Sequence, residues 1–330
     1  MKKKSCENDR KHTIALTLIM DSLSTYQGLP HTTVLHRPAL KEQEGVLILI
    51  PGNPGLVEFY ITYLDEIQKH RPELEIYAVS HAGFSTTEPL DSTVEYYPLS
   101  YQIQHKCDFI TQIAEKSNHD KVPIYLLAHS MGAYVLQNVV KRLSDNPKLD
   151  FRFVGLICPT IMDIASSGSG ELLTRIKAKV PVVQPVVAVA SFLKLVLPTS
   201  FARGLVQATV KKGKSEEGYR NAIEACWKLF SSPRLIKQAL EMAMEEMDQI
   251  THDRPLQDWF FNSFLKKCLI WGFFAATDHW VADSTRASIL EYSQKNVRFQ
   301  VETLPDISHS FCVDQSVEFA AVTLEAMASK

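Results

Sequence analysis

The sequence predicts an α/β protein: a mostly parallel, eight-stranded sheet with a helical cap inserted into it. Three observations lead there. Apolar, β-branched runs of strand length alternate with helical patterns from Gly45 onward. The first two runs lie too close together to hold a helix between them. The alternation lapses between residues 166 and 255, after which strands resume.

The strand runs are 13–20, 33–36, 45–50, 75–79, 123–128, 153–158, 268–273 and 297–302. Most are apolar at successive positions, as strands covered on both faces are. The first two are expected to pair antiparallel and the later ones to be joined by parallel crossovers. Helices are expected at 57–70, 99–116, 131–143, 283–293 and 313–329; in the second, Ile103, Cys107, Ile110 and Ile113 share one face. Residues 1–12 read as a flexible N-terminus. Residues 13–165 and 256–330 read as two parts of one core, with 166–255 as the cap. Ser166-Ser167-Gly168-Ser169-Gly170 reads as a flexible joint opening the cap, which helical patterns at 221–230 and 233–250 then fill.

The 330 residues are 45% hydrophobic with a net charge of −2. That supports a large core and gives no global basic field for nucleic acid. The cysteines, Cys6, Cys107, Cys158, Cys226, Cys268 and Cys312, form no CxxC pair and no metal-ligand spacing. They are expected to be reduced, buried thiols of a cytosolic-side protein. Lys2-Lys3-Lys4 is followed by polar residues, so no signal peptide is expected, and the final Ala-Ser-Lys leads us to expect no peroxisomal address. No metal or organic cofactor is implied.

Chemistry concentrates at strand ends. The run 123–128 leads into Ala128-His129-Ser130-Met131-Gly132 and then a helix. That is the setting of a nucleophile elbow, in which a sharp strand-to-helix turn exposes a serine at the sheet edge above a helix N-terminus. Ala128 stands where glycine is usual, and is small enough for the close approach. Ser130 is the candidate nucleophile. It needs a histidine base and a carboxylate to orient that base, following in the order acid then histidine. Asp278 follows the run 268–273, and His309 follows 297–302. Asp283 is an alternative acid. His279 precedes the last strand and is a poor base, Asp306 reads as shaping the loop of His309, and His129 reads as part of the elbow's surroundings.

The run 45–50 ends in Pro51-Gly52-Asn53-Pro54-Gly55. Oxyanion donors are expected from the amides of Met131 and Asn53; Pro54 has no N–H. Ser80-His81-Ala82-Gly83 reads as structural support nearby.

Taken in order, Pro51-Gly52-Asn53-Pro54-Gly55 with Phe59-Tyr60, Ser80-His81-Ala82-Gly83, Gln102-Ile103-Gln104-His105-Lys106, His129-Ser130-Met131-Gly132, Pro159-Thr160-Ile161, Thr277-Asp278-His279-Trp280 and Ser308-His309-Ser310-Phe311 resemble the lipid-droplet-associated hydrolases. These are a branch of the α/β-hydrolase superfamily. The likeness spans about residues 45 to 312 and leaves out residues 1–40 and most of the cap. It implies the α/β-hydrolase fold and an esterase or lipase using Ser130, Asp278 and His309. The implied substrates are lipid esters of the triacylglycerol or sterol ester type, at the lipid droplet surface, with a cytoplasmic pool. The alternative is a weakly active or non-catalytic surface protein that organises droplets.

Within the cap, residues 180–198 are apolar apart from Gln184, Ser191 and Lys194, and carry Pro181 and Pro185. The stretch is too short and interrupted to span a bilayer. It suits a lipid surface, flanked by Lys177, Lys179, Arg203, Lys211, Lys212 and Lys214, or the underside of a lid. Met242, Met244 and Met247 read as core packing.

Overall fold

The computed structural model describes residues 23–88, 94–296 and 298–328. Its sheet has eight strands: β1 (Leu23–Tyr26), β2 (Leu29–Arg37), β3 (Gly45–Ile50), β4 (Leu74–Val79), β5 (Val122–His129), β6 (Leu149–Ile157), β7 (Leu269–Ala275) and β8 (Phe299–Leu304). Their spatial order is β1-β2-β4-β3-β5-β6-β7-β8. β1 and β2 form an antiparallel hairpin, and β2 joins β4 antiparallel. All later neighbours are parallel. Every residue of β3 is buried, the pattern of a strand covered on both faces.

The hairpin differs from expectation. The run 13–20 lies outside the described residues. The antiparallel partner is Leu23-Ser24-Thr25-Tyr26, four residues of mixed polarity with no pattern to mark them. Its turn holds Gly28 at φ 87°, where a side chain would be strained.

The order reverses between β3 and β5, because the chain runs outward from β3 to β4 and returns on the other side. Loops beyond the carboxyl ends of two such strands open a crevice. Ile50 is in register with Ala128, so Pro51–Asn53 and His129–Met131 emerge side by side.

The core helices are α1 (Ile61–His70), α2 (Leu99–Lys116), α3 (Gly132–Leu143), and, after β7 and β8, Asp283–Lys295 and Ser316–Ala328. Ser316–Ala328 lies against α1, and α2 lies against α3. Their apolar faces close one continuous core.

No strand interrupts the chain between Ile157 and Leu269. The cap holds α4 (Gly168–Lys177), α5 (Val183–Val196), α6 (Thr199–Thr209), α7 (Glu216–Phe230) and α8 (Pro233–Gln249). The expected flexible joint is instead a packed helix start. Buried Ser167 caps α4 by accepting from the Gly170 amide at 3.0 Å. A Cβ at Gly170 would meet the Ile164 carbonyl at 2.0 Å. Pro185 does not break α5, because it falls in the first turn, whose amides have no partner within the helix. No helix of the described residues is long and apolar enough to cross a membrane.

The cap is bonded to the core through α7 and α8. Asn221 Nδ2 donates to Thr62 Oγ1 at 2.9 Å. Gln238 Nε2 donates to the Tyr97 carbonyl at 2.9 Å, and Gln238 Oε1 accepts from the Tyr97 amide. Glu245 accepts from the Leu99 amide at 2.8 Å, placing a carboxylate at the N-terminus of α2, where the helix dipole favours it.

Candidate active site

Ser130 sits between β5 and α3 at φ 53°, the left-handed geometry of a sharp elbow. The strain is held on both sides: the Ser130 amide donates to the Ile157 carbonyl at 2.9 Å, and its own carbonyl accepts from Ala133 and Thr160. A Cβ at Gly132 would come within 2.3 Å of the Pro51 carbonyl, so only glycine lets α3 start this close to the β3 loop. A Cβ at Gly52 would lie 3.0 Å from the Ser130 Cβ. The loop after β3 therefore lies directly against the serine.

Asp278 follows β7 by three residues, and His309 follows β8 by five. The structure brings both to Ser130. His309 Nε2 is 3.1 Å from Ser130 Oγ, and His309 Nδ1 is 2.8 Å from Asp278 Oδ2. Asp278 Oδ1 accepts from the amides of Trp280 and Val281 at 2.8 and 3.2 Å. Burial pushes the Asp278 carboxyl upward, but His309 and the two amides outweigh it and hold the group below its ordinary value. An ionised Asp278 fixes the proton of His309 on Nδ1 and leaves Nε2 to accept from the serine hydroxyl.

The competing residues lie elsewhere. Asp283 opens the helix after β7. His279 is exposed, and its carbonyl accepts from the Ser169 amide. Asp306 is exposed, and its carbonyl accepts from Gln315, whose side chain also takes the Ser308 amide; this brace shapes the His309 loop. Phe311, fully buried, pins the same loop, with its ring 4.2 Å from that of Phe319 and 5.2 Å from that of Tyr63.

His129 does more than line the elbow. Its Nε2 donates to the His309 carbonyl at 2.9 Å, so its Nδ1 is the acceptor and takes the Tyr60 hydroxyl at 2.7 Å. The Tyr60 oxygen accepts in turn from the Gly52 amide at 3.2 Å. One chain of hydrogen bonds thus runs from the β3 loop through the elbow to the backbone of the candidate base. Burial, then the nearby His309, pushes His129 down to about 3, so its ring is neutral.

Asn53 and Met131 lie where the β3 loop meets the elbow. Neither backbone amide is engaged in a turn or ladder bond among the described residues. The Asn53 side chain turns to the cap, donating from Nδ2 to the Ala239 carbonyl at 2.9 Å and to Glu246 Oε1 at 2.8 Å. Buried His81 supports the loop from below through Nε2, 2.9 Å from the Pro51 carbonyl.

Sequence reasoning gave Cys158 no role at the site. It follows β6 at φ 45°, and its thiol shares a 4.8 Å cluster with donor atoms of Asp278 and His309. These three could hold a metal ion, but Asp278 and His309 are already hydrogen-bonded to each other. Burial and the Asp278 charge push the thiol well up, so it remains protonated beside the carboxylate. Its place at a strand end, like those of Ser130 and Asp278, was the available signal.

A model of the lipid-droplet-associated hydrolase family matches residues 43–312. The chain belongs to this family. The lipid droplet-associated hydrolase of Gallus gallus is 27% identical over 290 residues, covering 84% of this chain and 82% of that protein. The Dictyostelium discoideum protein of the same name is 24% identical over 310 residues, covering 89% and 91%. Among solved structures, 2-hydroxy-6-oxo-6-phenylhexa-2,4-dienoate hydrolase from Rhodococcus sp. strain RHA1 superposes with a TM-score of 0.60 at 12% identity, covering 90% of this chain and 95% of that one. The fold is that of the α/β hydrolases, and the family is one of hydrolases.

Proposed function

We propose that this hydrolase cleaves carboxylic esters through an acyl-enzyme formed on Ser130. The observation that carries the reading is the continuous Ser130–His309–Asp278 hydrogen-bonded chain, set on a left-handed elbow. Ser130 Oγ attacks the ester carbonyl while His309 Nε2 takes its proton. The developing oxyanion lies against the amides of Asn53 and Met131. His309 then protonates the departing alcohol, and a water, activated by the same ring, releases the acid. The test is hydrolysis of a p-nitrophenyl ester by wild type and by Ser130→Ala. Loss of turnover in the variant supports the mechanism; equal turnover in both contradicts it.

We further propose that the substrates are lipid esters and that the cap meets them at a lipid surface such as that of a droplet. Val189, Phe192, Leu195 and Phe201, on α5 and α6, are more than half exposed, and Leu205 and Phe230 extend the patch. An apolar groove of ≈ 490 Å³ opens between α5, α6, α7 and α8, lined by Val186, Leu193, Leu197, Leu205 and Trp227 among others. Patches of this kind on a protein surface mark interaction sites. Five of the six flanking cations have acidic partners. Lys177, Arg203, Lys211, Lys212 and Lys214 are paired with Asp248, Glu224, Asp314, Glu216 and Glu318. The surface therefore suits apolar insertion into neutral lipid more than attraction to anionic headgroups. The same patch favours a second reading, in which the protein organises droplets without turnover; comparing Ser130→Ala with wild type separates the two.

A further inference from the structure

The cap reaches the candidate oxyanion loop at Asn53, whose side chain meets the Ala239 carbonyl and Glu246 of α8, and the triad does not explain the carboxyl there. Glu246, on α8, is only 5% exposed. Among the described residues it has no Lys, Arg or His within ion-pair distance. Its side-chain hydrogen bond is from Asn53 Nδ2 at 2.8 Å. The adjacent Glu245 adds a like charge and is engaged with Leu99 and Gln249. On the Asn53 side, Nδ2 is fully used by the Ala239 carbonyl and Glu246, while Oδ1 is buried with no donor. A buried acceptor without a partner is costly, and a buried carboxylate without a cation is costlier still. One proton removes both costs.

We propose that Glu246 is a positioning residue, a neutral carboxylic acid that pairs with the Asn53 carboxamide, accepting from Nδ2 and donating to Oδ1. The pair fixes Asn53 on α8 and so holds its backbone amide where the ester's carbonyl oxygen becomes the oxyanion. Burial pushes the Glu246 carboxyl up to about 8, which keeps the proton in place at neutral pH. α8 is itself hydrogen-bonded to the core through Gln238 and Glu245. On its other side, Ile236 lines the apolar groove of the cap. The arrangement thus makes the cap a part of the oxyanion site as well as a cover.

This inference rests on Ser130 being the nucleophile, and its test keeps the two apart. Wild type, Ser130→Ala, Glu246→Gln, Glu246→Leu and Glu246→Asp are compared for kcat and KM on a soluble p-nitrophenyl ester and for the rate of labelling by a fluorophosphonate. Thermal melts identify folded variants. Gln offers the same acceptor and donor as the neutral acid and restores kcat to within about 3-fold of wild type. Leu breaks the pair and lowers kcat and labelling rate by about 10- to 100-fold with KM nearly unchanged, as displaced catalytic groups do. Asp, one methylene short, gives an intermediate loss and carries the test if the Leu variant does not fold. Wild-type kcat in folded Leu or Asp variants overturns the proposal. So does a Gln variant as impaired as Leu, which would assign the role to a charged carboxylate. Absence of labelling in wild type, or activity in Ser130→Ala, overturns the underlying reading instead.

Discussion

Replacing His129 with Gln tests the hydrogen-bonded relay that holds the base. In the native protein the ring is buried and neutral, pushed down to about 3 from an ordinary 6.5. An unfolded chain binds a proton at this histidine below pH 6.5, whereas the folded protein does not until about pH 3. Stability contributed by the neutral ring is therefore present above pH 6.5 and lost as pH falls through that window. One proton corresponds to about 1.4 kcal/mol per pH unit, so His129 alone removes about 2 kcal/mol between pH 6.5 and pH 5. His81 and His105, also buried and shifted down, add losses of the same sign. Gln at 129 can still donate to the His309 carbonyl but does not titrate and does not reproduce the Nδ1 acceptor of Tyr60. At pH 7 the variant is expected to be less stable by about 1–3 kcal/mol, the cost of an unmade buried hydrogen bond. Its further loss on going to pH 5 is expected to be smaller than that of wild type by about 2 kcal/mol. Urea unfolding at the two pH values measures both quantities. Equal acid losses in wild type and variant would refute a neutral, proton-refusing His129.

Other outcomes follow from the same contacts. Asp278→Asn is expected to keep the fold but lower kcat by about 10³- to 10⁴-fold, because the amide cannot stabilise the imidazolium and favours the wrong tautomer; steady-state kinetics on a soluble ester measures it. Phe311→Ala empties a fully buried site under the His309 loop and is expected to cost about 3–5 kcal/mol by urea unfolding. Val189→Glu with Phe192→Glu puts two charges on the exposed face of α5. It is expected to reduce co-flotation with triacylglycerol emulsions by at least about 10-fold while leaving turnover of the soluble ester unchanged; undiminished flotation removes this face from the account.

The strand ends were legible because a parallel sheet writes itself as short apolar runs, and Ser130, Asp278 and His309 each follow one. The Pro-Gly-Asn-Pro-Gly loop stood out by its composition, but the approach of Gly52 to Ser130 and of Gly132 to Pro51 came from the structure. Features that depend on distant partners were not legible. His129 acquires its role only when Tyr60 and the His309 carbonyl arrive from residues 69 and 180 positions away. Glu246 sits beside Glu245 with nothing in the local sequence to set it apart; its burial follows from how α8 docks. Ser166–Gly170 reads as a joint because serine and glycine mark loops, yet the same residues cap a helix when Ser167 is buried against Ile164. The hairpin strand β1 has too few apolar positions to announce itself, and gains its identity from pairing with β2.

The central claim is that Ser130 is the nucleophile of an ester hydrolase. Incubation with a fluorophosphonate, followed by peptide mapping, tests it most directly. One stoichiometric adduct is expected on Ser130, forming orders of magnitude more slowly in His309→Ala and not at all in Ser130→Ala. An adduct on another residue, or undiminished labelling of Ser130→Ala, contradicts it.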